Sequence, residues 1–214
     1  MSYKETFYFI AKCLTISLEK HNKLAIEKTL QSNTIDWDTV VQVSTQQLVF
    51  PALYCALKKE GFLHYLPQDL VNYMEHITKL NRQRNQQIIT QVTALNTFLL
   101  DHNITPIFLK GAANLIAGLY TDIAERMIGD IDFIFSKQDY PKAIRLLREY
   151  GYSEVLKATY YFPNQHHYRR LHKKGHIAAI EIHKAFTLEK YNKEFNYTLT
   201  QKNSQVINNV RVLG

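Results

Sequence analysis

The hydrophobic pattern changes period near residue 104, and this restricts the fold more than any other feature of the chain. Before that point apolar residues recur every three or four positions, which places them on one face of a helix. After it, short apolar runs are separated by helical stretches, the pattern of strands alternating with helices. A helix-period segment does not rest as a strand, so the two stretches build different layers. The fold class that follows is α+β, with a helical region at 1–103 and a mixed-sheet α/β domain at 104–214.

In the first stretch, Phe7, Ile10, Leu14 and Leu18 form a helical stripe that His21 and Asn22 end. A second pattern opens at Thr34-Ile-Asp-Trp37 and runs through Val40, Val41 and Val43, and Pro51 suits the first turn of a third that stops at Gly61. Pro67 begins a fourth, carrying Leu70, Tyr73, Ile77, Leu80, Ile88, Val92, Leu95 and Leu99. Its middle, Asn81-Arg-Gln-Arg-Asn-Gln-Gln87, is polar on all sides, which predicts a long helix with a solvated centre, or else two helices. The second stretch predicts strands at 104–109 and 131–135, helices at 112–120 and 139–150, and then strands at 152–156, 167–171 and 177–186. The turn His172-Lys-Lys-Gly175 joins the last two as a hairpin, and a closing strand pair turns at Asn208-Asn209.

With 46% hydrophobic residues, seven glycines and five prolines, the chain is neither disordered nor fibrous. Two cysteines, Cys13 and Cys55, each within a helical pattern, exclude a disulfide framework. The N-terminus has no basic segment followed by a cleavage site, and no apolar run approaches the roughly 18 residues that span a bilayer. The expectation is a cytoplasmic protein with no membrane partner. A net charge of +7 and the neighbouring Arg169, Arg170, Lys173 and Lys174 fit an anionic partner, a property too common to select nucleic acid on its own.

Chemistry concentrates at Asp130-Ile-Asp132. Alternation sends both carboxylates to one face of a strand, where they repel; a divalent cation removes the conflict, whereas the structural alternative is two solvated acids at a strand end. Upstream, Lys110-Gly111 ends a strand and opens a helix, a place where backbone N–H groups and the helix dipole hold phosphate. Downstream, Glu181 and His183 share one face of an apolar strand, where a lone charge is costly without a partner.

The run Phe108-Leu-Lys-Gly-Ala-Ala113, then Leu119-Tyr120, Arg126, Asp130-Ile-Asp132, Tyr150-Gly-Tyr152 and Glu181-Ile-His183 resembles the nucleotidyltransferase-like family of the DNA polymerase β-type nucleotidyltransferase superfamily. Its members carry L-K-G, R-x-x-x-D-x-D and [DE]-x-H after an N-terminal helical region, and the resemblance covers 36–214. It implies a nucleotidyltransferase-type α/β domain that moves a nucleoside monophosphate from a nucleoside triphosphate to a hydroxyl acceptor, releasing pyrophosphate. By the same resemblance, Asp130 and Asp132 bind one or two Mg²⁺ ions. Glu181 is the third carboxylate, binding the second metal and helping to deprotonate the acceptor. Gly111 and Ala112 line the triphosphate, Lys110 and Arg126 neutralise phosphate charge, and His183 orders Glu181 or contacts substrate. The acceptor stays open between a small-molecule alcohol, a protein hydroxyl and an RNA end.

The phosphate turn in this superfamily usually reads Gly-Gly or Gly-Ser; Ala112 lacks that hydroxyl, which predicts weaker triphosphate binding. Members also usually continue into more helices, so the chain reads either as a short member or as one lacking a C-terminal helical extension. These departures motivate an alternative: a catalytically degenerate nucleotide-binding or protein-interaction module. A third reading takes His166, His167, His172, His176 and His183 as a zinc or nucleic-acid site, although their spacing matches no common zinc set and a turn divides them.

Overall fold

The computed structural model describes residues 1–155, 167–186 and 196–214; the end of the strand expected at 152–156 and His166 lie outside the described residues. The chain divides into two compact units, Met1–Asn85 with Tyr120–Met127, and Gln86–Leu119 with Ile128–Gly214. Among the described residues no helix is long and apolar enough to cross a membrane.

The first unit is helical: α1 (Tyr3–Leu14), α2 (Lys20–Gln31), α3 (Trp37–Gln46), α4 (Phe50–Lys59) and the N-terminal part of α5 (Gln68–Asp101). Ser2 and Glu5 cap α1 reciprocally, and Asp36 accepts from the Thr39 amide at 3.2 Å to start α3. Phe9, Ile10, Cys13, Ile26, Leu30, Val40, Leu53, Leu57 and Met74 form the core. The buried face of α1 differs from the expected stripe: Thr6, Phe9, Ile10 and Cys13 are buried, whereas Phe7 and Leu18 are exposed. Thr6 can face inward because its hydroxyl is satisfied by the Ser2 carbonyl at 3.1 Å. A further helix, α2, fills a stretch that periodicity left unassigned, since only Ile26 and Leu30 of its apolar residues are buried and Leu24 is exposed.

The fourth pattern forms one continuous helix of 34 residues, and its polar centre is solvated on one side only, with Gln83, Gln86 and Gln87 exposed. Asn81 and Asn85 are buried, and their amides donate to the carbonyls of Ala124 (2.7 Å), Ile123 (2.6 Å) and Arg126 (3.0 and 2.7 Å). The segment 120–127 has little regular structure of its own, so its buried carbonyls need donors, and the asparagines provide them. Arg82 adds a two-pronged ion pair to Asp122, with Nε to Oδ1 at 3.0 Å and Nη2 to Oδ2 at 2.5 Å.

The second unit holds a sheet of seven described strands: β1 (Ile107–Leu109), β2 (Asp130–Ile134), β3 (Ser153–Glu154), β4 (Leu171–His172), β5 (Ala179–His183), β6 (Ser204–Ile207) and β7 (Val210–Leu213). Their order is β3-β4-β5-β2-β1-β7-β6. β5 runs parallel to β2 and β7 parallel to β1, while the other neighbours are antiparallel, giving the mixed sheet that the pattern of runs predicts. Helices α6 (Lys110–Ile116), α7 (Tyr140–Glu149) and α8 (Tyr197–Lys202) complete the unit. Phe108, Phe133 and Phe135 are fully buried, with adjacent ring centroids 5.5 and 5.3 Å apart. The β6–β7 hairpin turns where expected, with Asn208 and Asn209 both at positive φ, a conformation asparagine tolerates.

Candidate active site

The register of β2 against β5 builds the site. Asp130 lies beside Ala179, Asp132 beside Glu181 and Ile134 beside His183. Partners across a ladder point the same way, so Asp130, Asp132, Glu181 and His183 share one face, while Ile131, Phe133, Ile180 and Ile182 are buried on the other. Glu181 therefore stands on the same side of the sheet as the aspartate pair.

Basic groups meet these acids. Lys110 Nζ donates to Asp132 Oδ1 at 2.6 Å, and His183 Nε2 reaches the same oxygen at 2.7 Å. Arg170, just before β4, donates to Asp130 Oδ2 at 3.0 Å and to the Gly129 carbonyl at 3.4 Å, with Nε 4.0 Å from Glu181 Oε1. Burial of Asp132 opposes its ionisation, but hydrogen bonds from His183 and Lys110, with their charges, outweigh that penalty and hold its carboxyl below the usual carboxylate range.

Lys110 reaches Asp132 from an unusual backbone. It is the first residue of α6, directly after β1, with φ of +52°, a left-handed conformation that costs a side-chain-bearing residue energy and that glycine would adopt freely. Gly111 and Ala112 follow at the start of α6, both buried. A Cβ at Gly111 would lie 3.1 Å from Ile128 Cγ1, so a side chain there requires the Ile128 side chain to give way by a few tenths of an ångström. Arg126 belongs to the first unit, where its carbonyl accepts from Asn81 and Asn85.

Among the described residues one group of three metal-ligand types converges: Asp132, Glu181 and His183, with one ligand atom of each within 4.8 Å of the others. Asp130 lies outside that group, its carboxylate turned to Arg170. Two carboxylates supply the oxygen donors that Mg²⁺ prefers, and an imidazole hydrogen-bonded to a ligating carboxylate is a common way of orienting it. The donor set thus fits a hard divalent cation. Of the other described histidines in the cluster, His167 pairs with His183, their ring centroids 5.5 Å apart, whereas His172 Nε2 contacts the His176 carbonyl at 3.0 Å and His176 Nδ1 lies 3.0 Å from the Tyr152 hydroxyl.

Two positioning residues escape the sequence reading. Gln91 of α5 grips Ala178 on both its amide (3.1 Å) and its carbonyl (2.9 Å), fixing the chain where it enters β5. Nothing in a polar helix position signals that role. Arg170 was legible only as part of a basic cluster; alternation gives the missing signal, because Leu171 pairs with the buried Ile180, which turns Arg170 toward the acid face.

Comparison with known proteins adds one finding. No curated protein and no solved structure matches the chain. The profile of the family described as uncharacterised nucleotidyltransferase matches residues 33–214, a range that includes Lys110, both aspartates and the Glu181-Ile-His183 strand. With most of its length matched, the chain belongs to this family of uncharacterised nucleotidyltransferases.

Proposed function

We propose that the protein is a Mg²⁺-dependent nucleotidyltransferase that moves a nucleoside monophosphate from a nucleoside triphosphate to a hydroxyl acceptor. The observation that carries the reading is the β2–β5 register, which sets Asp132 and Glu181 abreast beside Lys110. Asp132 and Glu181 would hold the cation, with Asp130 available on the same face for a second one. A bound Mg²⁺ supplies Lewis acidity and charge neutralisation for phosphoryl transfer.

The chain's own groups do the rest. His183 holds Asp132 in one orientation through the contact at 2.7 Å. Lys110, half exposed, offers its ammonium to phosphate oxygens, and Gly111 and Ala112 line the triphosphate beside it. The acceptor oxygen bonds to the α-phosphorus as the bond from that phosphorus to the bridging oxygen breaks, and pyrophosphate leaves with the electron pair. Glu181 takes the acceptor proton. Positioning and electrostatics supply the rate, with no covalent protein intermediate. Burial pushes the thiols of the two free cysteines up to about 12, which makes neither of them a nucleophile for the reaction.

The test is incubation with labelled ATP, GTP, CTP or UTP, Mg²⁺ and cell extract. Metal-dependent label transfer that Asp132→Asn reduces by about a hundredfold or more supports the reading. Nucleotide binding by calorimetry without transfer replaces it with a binding module, and an unaffected Asp132→Asn refutes the assignment of the site.

A further inference from the structure

The acids on the shared face are held by protein groups: Asp132 by the Lys110 ammonium and the His183 imidazole, and Asp130 by the Arg170 guanidinium, which also stands 4.0 Å from Glu181. Arg170 reaches acids on both strands of the face, donating to Asp130 on β2 and standing within ion-pair distance of Glu181 on β5. A guanidinium can do this because its planar fork presents several donors in fixed directions, whereas an ammonium is a single point charge. It is also half exposed, so leaving the acids costs it little.

A divalent cation and this guanidinium compete for the same carboxylates. Resting on the reading above, we propose that Arg170 is a charge-exchange residue. It neutralises Asp130 and Glu181 until metal enters, is displaced by it, and then takes the phosphates of the incoming nucleotide, for which a guanidinium has matching bidentate geometry. Metal entry and nucleotide capture are thereby coupled through one side chain, and loss of that side chain must move the two affinities in opposite directions.

The experiment measures Mn²⁺ binding without nucleotide, by electron paramagnetic resonance, for the full chain and for Arg170→Gln and Arg170→Lys, with circular dichroism to establish folding. Arg170→Gln is expected to bind Mn²⁺ roughly fivefold more tightly, the ratio carried by one partly exposed ion pair. In saturating Mn²⁺ its Kd for nucleoside triphosphate is expected to rise roughly tenfold, the scale of one lost charge-assisted contact. Arg170→Lys, which keeps the charge, returns the Mn²⁺ affinity toward that of the parent and recovers part of the nucleotide affinity. If the parent binds Mn²⁺ and Arg170→Gln binds it equally or more weakly, or if nucleotide affinity is unchanged, the exchange is refuted while the enzyme reading stands. A parent chain that binds no Mn²⁺ overturns both.

Discussion

Replacing Lys110 separates a backbone effect from a charge effect at the centre of the site. Its φ of +52° places an L-residue in the left-handed region, at a cost of about 1–2 kcal/mol that glycine avoids. Glycine in turn gives up about 0.5–1 kcal/mol through the greater freedom of the unfolded chain. Lys110→Gly and Lys110→Ala both remove the ammonium 2.6 Å from Asp132, so the difference between them reports the backbone alone. Subtracting the two terms leaves Lys110→Gly more stable than Lys110→Ala by about 0–1.5 kcal/mol, centred near 0.7, or up to about 6 °C in Tm for a chain of this length. Both should be less stable than the parent by about 1–3 kcal/mol if the buried Asp132 carboxylate needs its ammonium. Urea and thermal unfolding measure both gaps, and transfer activity should fall equally in the two variants. An alanine variant more stable than the glycine variant would refute the strained turn, and with it the argument that the chain bears backbone energy to aim Lys110 at Asp132.

The Arg82–Asp122 pair gives a pH prediction. The hydrogen bond from Arg82, opposed by burial and reinforced by the Ala124 amide and the Arg82 charge, holds the Asp122 carboxyl below its usual range. Its stabilising contribution is therefore complete above about pH 4 and is lost as pH falls through the folded-state value. Asp122→Asn retains an oxygen to cap Ala124, so the gap in urea midpoint between parent and variant should be open at pH 7 and close in acid; a gap independent of pH would contradict the assignment. Asn85→Leu should destabilise the chain by about 1–3 kcal/mol, since the Ile123 carbonyl loses its donor while Asn81 still serves Arg126. Equilibrium unfolding that shows less than a few tenths of a kcal/mol would mean that water or a shift of the segment replaces the amide.

Element types in the second unit were legible because strand alternation is a strict period of two. Once Ile131 and Phe133 are inward, Asp130 and Asp132 must share the opposite face, and the same holds for Glu181 and His183 around Ile182. What alternation cannot supply is the neighbour across the sheet. The parallel pairing that makes Asp132 and Glu181 register partners joins residues nearly fifty positions apart, and no local pattern records it. The same limit explains Asn81, Asn85 and Gln91. Each is polar on a helix, which reads as solvated, and each is buried because a distant stretch of backbone lacks a donor or acceptor. In α1 the misreading was of another kind: a threonine that satisfies its own hydroxyl on the preceding turn counts as apolar for packing, and a hydropathy pattern treats it as polar.

The charge arithmetic of the site links these observations. Three carboxylates on one face of adjacent strands would repel one another, and the chain answers with Lys110 from the β1–α6 turn, Arg170 from the approach to β4, and His183 from β5 itself. If these contacts served stability alone, apolar replacements of both acid and base would be tolerated, because a buried ion pair seldom outperforms packed hydrophobic residues of similar size. The double replacement Lys110→Met with Asp132→Leu tests this directly. Chemical unfolding should show a stability within about 1–3 kcal/mol of the parent, the remaining loss being that of the buried His183 imidazole left without its acceptor, while Mn²⁺ binding and nucleotide transfer should be lost. A stable double variant without metal affinity places the acids in the service of the reaction. One that keeps its Mn²⁺ affinity would remove Asp132 from the metal site and leave the cluster without the role argued for it.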